Sequence, residues 1–85
     1  MDISRAEQRI LHILAQGGRI EIEKDERGRI LIINCYTREG WRMPAVDLRI
    51  FRKMKRNRAV SSSGGRPYRI TRRGLELVRS QLDNR

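Results

Sequence analysis

The chain has 85 residues, of which 20 are lysine or arginine and 10 are acidic, so its formal net charge is +10. A single cysteine excludes an internal disulfide and cannot build a metal site alone, and no apolar run is long enough to span a membrane. We therefore expect one cytoplasmic domain, residues 1–85, with a small aliphatic core. The basic excess favours a polyanion or an acidic protein surface as partner over a merely well-solvated surface.

The first element is predicted to be a helix that begins at a capping box. Ser4 and Glu7 have the spacing at which each side chain caps a backbone N–H of the first turn. Gly17 and Gly18 supply a left-handed stop. His12 falls on the polar side, which favours a solvated histidine over a base or a ligand. The apolar stripe of this helix comprises Ala6, Ile10, Leu11, Ile13 and Leu14.

A hairpin is expected next. Residues 20–23 alternate between apolar and acidic side chains, and residues 25–28 have the Asp-first, Gly-last pattern of a tight turn. In the return strand, residues 30–36, apolar side chains occupy both odd and even positions and so point to both faces of the strand. Either both faces are covered, or part of the strand is exposed and could pair with another strand. Cys35 in this strand is interpreted as a small packed residue and not as a reactive thiol.

A connector, residues 37–44, leads to the second helix. Pro44 is predicted to lie at the start of that helix, because a helix tolerates proline only in its first turn. Trp41 stands near two arginines and is interpreted as a lid over the core. A stacking platform or an interface anchor is the alternative for this side chain.

Residues 46–74 carry the strongest functional pattern: a basic amphipathic helix, a Ser/Gly-rich hairpin and the start of a last helix. The side of the basic helix predicted to be buried comprises Val46, Ile50, Phe51 and Met54. Gly64 and Gly65 permit the positive φ of the hairpin tip. A helix followed by a short hairpin with arginines at its base is the layout of a winged helix, in which both elements address a nucleic-acid backbone.

The last helix is predicted to begin at Thr71 as its N-cap and to bury Leu75, Val78 and Leu82. Leu48 and Leu77 fall outside the apolar stripes and would form a small contact point for a partner if they lay close together. The predicted fold is α+β and winged-helix-like, in the order helix, hairpin, helix, hairpin (the wing), helix.

No nucleophile–base pair, paired carboxylates or Cys/His ligand spacing is present, so we expect neither an enzyme nor a bound cofactor or metal. The chemistry is electrostatic, and the guanidinium fork suits phosphates and carboxylates equally. DNA and an acidic protein therefore both remain open as partners. The candidate binding residues are Arg49, Arg52, Lys53, Arg56, Arg66, Arg69, Arg72 and Arg73.

Seven stretches distributed over the chain also carry a family resemblance. They are residues 7–9, 11–20, 35–40, 51–55, 67–71, 74–75 and 78–85, including the Pro67-Tyr68-Arg69-Ile70-Thr71 segment. Together they are similar to the small YjhX-like toxin family. The resemblance implies the toxin of a bacterial toxin–antitoxin pair, which binds and inhibits DNA topoisomerase I and is restrained by an acetyltransferase-like antitoxin. It carries no residue-level inhibitory motif.

Two other functions remain open at this stage. The basic helix, the wing and the charge favour a winged-helix transcriptional regulator that binds DNA. Charge alone would also suit a housekeeping nucleic-acid or ribosome-associated module.

Overall fold

The computed structural model describes residues 3–43 and 46–83, and for residues 81–83 only the backbone. The elements are α1 (Arg5–Ala15), β1 (Arg19–Lys24), β2 (Ile30–Tyr36), α2 (Leu48–Arg56), β3 (Val60–Ser61), β4 (Arg69–Ile70) and α3 (Arg72–Asp83). The α+β class and the predicted order of elements are confirmed. Three helices accompany two small antiparallel sheets, and a winged-helix arrangement of them stays a prediction.

Helix α1 begins at the predicted capping box. The Ser4 backbone N–H donates to Glu7 Oε1 at 3.1 Å, and the Glu7 N–H donates to Ser4 Oγ at 3.1 Å. The helix ends at Ala15, and Gly17, which follows the C-cap Gln16, has a φ of +102°, the left-handed conformation that favours glycine. A Cβ atom on Gly18 would lie 2.5 Å from the Tyr36 carbonyl oxygen, so the end of α1 packs directly on the end of β2.

Strands β1 and β2 form the predicted hairpin around an aspartate-first turn. Asp25 Oδ1 accepts the backbone N–H groups of Arg27 and Arg29. In the register, Glu23 pairs with Ile32 and Lys24 pairs with Ile30, so Leu31 is an extra residue at a bulge. The consecutive side chains Leu31 and Ile32 are consequently both exposed. This resolves the ambiguity of the apolar return strand: part of it faces solvent.

The two sheets meet at Ile20. Its backbone N–H donates to the Tyr68 carbonyl at 3.0 Å, and the Tyr68 N–H donates to the Ile20 carbonyl at 2.7 Å. The Tyr68 ring meets the ring of Phe51 edge to face, with centroids 5.0 Å apart. Because Ile20 and Phe51 are fully buried, the base of the β3–β4 hairpin is anchored to the centre of the core. We keep the name wing for this hairpin, residues 60–70, as a label for the predicted element.

Helix α2 is confirmed but begins at Leu48 and not at Val46. Of its predicted buried side, Phe51 and Met54 are buried and Ile50 is partly buried, while Val46 is buried just before the helix. Its N-cap is Asp47, whose Oδ1 accepts the Arg49 backbone N–H at 2.6 Å. Pro44, predicted to start this helix, lies outside the described residues.

The wing consists of strands of two residues each, with Val60 opposite Ile70, and Gly64 and Gly65 have positive φ as predicted. Thr71 caps α3 as expected, since its Oγ1 accepts the Gly74 backbone N–H at 3.0 Å. A Cβ atom on Gly74 would overlap the carbonyl oxygen of Ala59. The first turn of α3 therefore rests directly on the backbone that leads into the wing.

Two predictions about exposed leucines are wrong. Leu77 is buried, and Leu48 is partly buried against the core, so they form no contact point for a partner. The buried stripe of α3 runs through Gly74, Leu77 and Val78, and at Gly74 the helix backbone lies too close to Ala59 to admit a side chain. Leu75 is only partly buried, and the side chain of Leu82 lies outside the described part.

The interpretation of Trp41 as a lid over the core is also wrong, because its side chain is exposed. The turn that carries it is closed by Thr37, not by packing of the indole. Cys35 is fully buried as predicted, and His12 is exposed on α1.

Candidate functional site

Four of the candidate binding residues are exposed arginines, three of them on α2 and one in the wing. Arg49, Arg52 and Arg56 follow one another at spacings of three and four along α2, which places them on one side of the helix. Arg66 stands in the wing beyond its glycine tip. All four are exposed, and no ion pair in the described part of the chain involves them. We call these four residues the arginine surface.

Lys53, unlike these four arginines, forms an ion pair within the fold. Its Nζ lies 3.0 Å from Oε1 of Glu7, and the Glu7 side chain is 1% exposed. The same Oε1 accepts the Ser4 N–H, whereas Oε2 has no hydrogen-bond partner among the residues that the structure describes. Lys53 thus supplies the countercharge for a buried carboxylate and joins α2 to the first turn of α1.

Arg69 is also engaged within the fold. Its Nη1 donates to the carbonyl oxygens of Gly17 and Gly18, at 3.1 and 3.2 Å. These carbonyls follow the end of α1, where a cation is favoured by the partial negative charge of the helix terminus. Arg69 therefore holds the wing against α1, on top of the Ile20–Tyr68 contact.

Arg72 and Arg73 extend the cationic region to the start of α3, where both approach Glu76 at 4.0 and 3.6 Å. Exposed pairs at such distances contribute little to stability. Both guanidinium groups therefore remain accessible to an anionic partner, with part of their charge offset by one carboxylate.

Sequence reasoning missed two charged residues that organise this region. Lys55 Nζ lies 5.8 Å from the Phe51 ring centroid and 5.7 Å from that of Tyr68, within cation–π range of both. Its position four residues after Phe51 was the available signal. Glu7 was assigned a capping role only, although it falls on the same side of α1 as Leu11 and Leu14.

The remaining chemistry of the described residues is sparse. No group of three His, Cys, Asp or Glu side chains in residues 3–43 and 46–80 is placed to hold a metal ion. Burial raises the pKa of the Cys35 thiol, which disfavours the reactive thiolate. In the described segments, no helix has the length and apolar character needed to cross a bilayer.

Comparison with known proteins identifies the class. Residues 1–85 match the model of the YjhX toxin family, described as "Putative toxin of bacterial toxin-antitoxin pair". A UPF0386 protein of Chelativorans sp. (strain BNC1) is 71% identical over 85 residues, covering 100% of both chains. One from Hyphomonas neptunium is 63% identical over 84 residues, which are 99% of each chain. No solved structure matches.

The chain therefore belongs to the YjhX toxin family, and the resemblance noted in the sequence is confirmed over its whole length. A family of toxin–antitoxin pairs implies an antitoxin as protein partner.

Proposed function

We propose that this protein is a toxin that binds DNA topoisomerase I and inhibits it by direct contact, without catalytic chemistry of its own. The observation that supports the toxin role is the family match over residues 1–85. The identity of the target, and that of an acetyltransferase-like antitoxin, rest on the resemblance stated above.

The arginine surface is the contact surface that the charge distribution favours. Arg49, Arg52 and Arg56 project from one rigid helix, and Arg66 adds a fourth cation from the wing. Such a surface would dock where the enzyme is acidic or where its DNA enters. Complementary charge accelerates association and fixes orientation, so the surface would govern how fast the complex forms.

Charge reversal at Arg52 and Arg56 is the direct test. In a supercoil relaxation assay with purified topoisomerase I, the variant R52E/R56E is expected to inhibit at least tenfold more weakly than wild type, chiefly through slower association. Lys53 is left intact, because a glutamate there would place a second carboxylate beside the buried Glu7 and threaten the fold. The matched control is R5E/R9E, which makes the same charge change at the same spacing on exposed positions of α1.

Two results of this assay would contradict the proposal. Absence of inhibition by micromolar wild-type protein would remove the toxin assignment to topoisomerase I. Inhibition that disappears as DNA is raised, and that follows the protein's own DNA affinity, would mean that it masks the substrate and does not bind the enzyme.

A second candidate function, DNA binding as a winged-helix transcriptional regulator, is favoured by the same four unpaired arginines. If each of them contacts one phosphate, the plot of log affinity for duplex DNA against log salt should have a slope of about −3.6. The measurement is a fluorescence anisotropy titration between low and physiological salt. A flat salt response, or no duplex binding at low salt, would remove this candidate.

A further inference from the structure

A cleft lies between α1, the end of β2 and α2, and its volume is about 140 Å³. In an apolar protein interior, a cavity of about 150 Å³ accepts one benzene ring, so this cleft has room for one large apolar side chain. Among the described residues that line it, Arg9 alone is charged. The others are Ala6, Ile10, Ile13, Cys35, Met43 and Ile50.

A second, shallower recess of about 550 Å³ adjoins the cleft on the side of α1 that faces α3. The two share Arg9, Ile13 and Met43 as lining residues, and we call them together the α1 groove. The polar residues of the recess span about 10 Å along the helix, a length suited to a few residues of a bound polypeptide. Beyond the shared residues, the recess is lined by Arg5, Gln8, His12 and Val78.

The charged groups of the α1 groove indicate what chemistry would fill it. Arg5 and Arg9 are both exposed, and neither forms an ion pair with another described residue. No carboxylate stands among the described lining residues, because Glu7 is buried and paired with Lys53. Since a guanidinium group binds a carboxylate through two parallel hydrogen bonds, the groove suits an apolar side chain with carboxylates next to it.

Nucleic acid matches only one part of the α1 groove. Phosphates could contact Arg5 and Arg9, but no aromatic side chain among the described lining residues offers a face on which a base could stack. The apolar cleft would then stay unfilled. A polypeptide uses both parts at once.

A second copy of this chain would have to bind here head to tail. Its exposed large hydrophobic side chains in the described part, Leu31, Ile32 and Trp41, lie outside the α1 groove. Such a contact joins two different surfaces, so it builds a ring or an open filament. Each added copy also brings a net charge of +10. A different protein is subject to neither constraint.

We propose that the antitoxin binds in the α1 groove, where it inserts one large apolar side chain into the cleft and places carboxylates on Arg5 and Arg9. This inference rests on the toxin role proposed above and on the antitoxin partner that the family implies. Arg52 and Arg56 do not line the groove, so the antitoxin contact does not require the residues assigned to the target.

Filling the cleft is the first test. Ala6 is exposed and lines the cleft, so A6L adds bulk there without removing a buried group, and leucine is a good helix former. In calorimetric titrations with the purified antitoxin of the same pair, A6L is expected to bind about 30-fold or more weakly than wild type, the loss typical of a dominant interface side chain. The matched control is A15L, the same substitution at an exposed alanine of α1 outside the groove, and it should keep wild-type affinity.

Charge reversal is the second test. R5E/R9E is expected to bind the antitoxin at least tenfold more weakly than wild type, because its glutamates repel the carboxylates of the partner. R52E/R56E makes the same charge change at the same spacing and should keep wild-type affinity. The two variants exchange roles in the relaxation assay, where R52E/R56E is the weaker inhibitor. Thermal unfolding followed by circular dichroism checks each fold, and R5E/R9E decides the matter if A6L does not fold.

Three results would overturn the inference: wild-type antitoxin affinity in either folded groove variant, no antitoxin binding by wild type at micromolar concentration, or self-association of wild type that A6L abolishes in sedimentation velocity. The relaxation assay separates this inference from the proposed function. If wild type does not inhibit topoisomerase I but A6L still loses the antitoxin, the target is wrong and the antitoxin groove stands. If wild type inhibits and A6L keeps the antitoxin, the groove is wrong and the target stands.

Discussion

Replacing Phe51 with alanine is expected to lower the free energy of unfolding by about 3–5 kcal/mol, because it leaves a cavity that the neighbouring side chains cannot fill. The Phe51 ring is fully buried and contacts Tyr68 edge to face. It also supports the ammonium group of Lys55. A domain of this size has a stability of only several kcal/mol, so the variant should be largely unfolded at 37 °C. The measurement is urea denaturation followed by circular dichroism.

L31A is the matched control for this prediction, since it removes a large apolar side chain from an exposed position. Its free energy of unfolding should stay within about 0.5 kcal/mol of wild type. A loss below about 1 kcal/mol in F51A would show that the buried side of α2 is wrongly assigned.

The second large effect is expected at the ion pair between α1 and α2. K53M leaves the buried Glu7 carboxylate without its countercharge and should cost about 2–4 kcal/mol of unfolding free energy. The expected loss is below that of a fully buried pair because Lys53 is half-exposed. The measurement is again urea denaturation at neutral pH, with R52M as control for a methionine at a neighbouring exposed site.

The double variant E7Q/K53M separates lost attraction from an uncompensated charge. Removing both charges should restore much of the stability lost in K53M, since no ionised group then remains buried. If K53M is as stable as R52M, the contact between Lys53 and Glu7 does not stabilise the fold, and Lys53 would again be a candidate binding residue.

Much of the local structure could be predicted because short-range signals determine it. The capping box at Ser4, the turn held by Asp25 and the left-handed glycines each depend on a few neighbouring residues. The buried side of α2 could be predicted because its apolar residues recur at helical spacing over a long enough stretch.

Errors arose where packing between distant segments decides the outcome. Gly74 carries no hydrophobic signal, yet it packs against the Ala59 backbone, and Leu77, three residues later on the same side of α3, is buried. Trp41 was interpreted as a lid over the core, whereas its side chain is exposed and its turn is closed by hydrogen bonds to Thr37. The buried stripe of α3 and the exposure of Trp41 could not be read from local spacing.

The sequence alone identified the cationic residues of the candidate site, but not the groups that they contact in the fold. Lys53 and Arg69 have the same local pattern as Arg52 and Arg66. Their engagement depends on Glu7 and on the Gly17 and Gly18 carbonyls, which lie far away along the chain. Only the folded arrangement separates charges that hold the domain together from charges that face outward.

The close approach of Gly74 to the Ala59 carbonyl also bears on how the molecule can move. Since backbone rests on backbone there, no side chain can change rotamer to let α3 hinge against the base of the wing. Thr71 reinforces the joint, because its hydroxyl donates to the Arg58 carbonyl at 2.6 Å. The contact between Gly74 and Ala59 and the Thr71 hydrogen bond therefore disfavour hinging of α3 against the base of the wing.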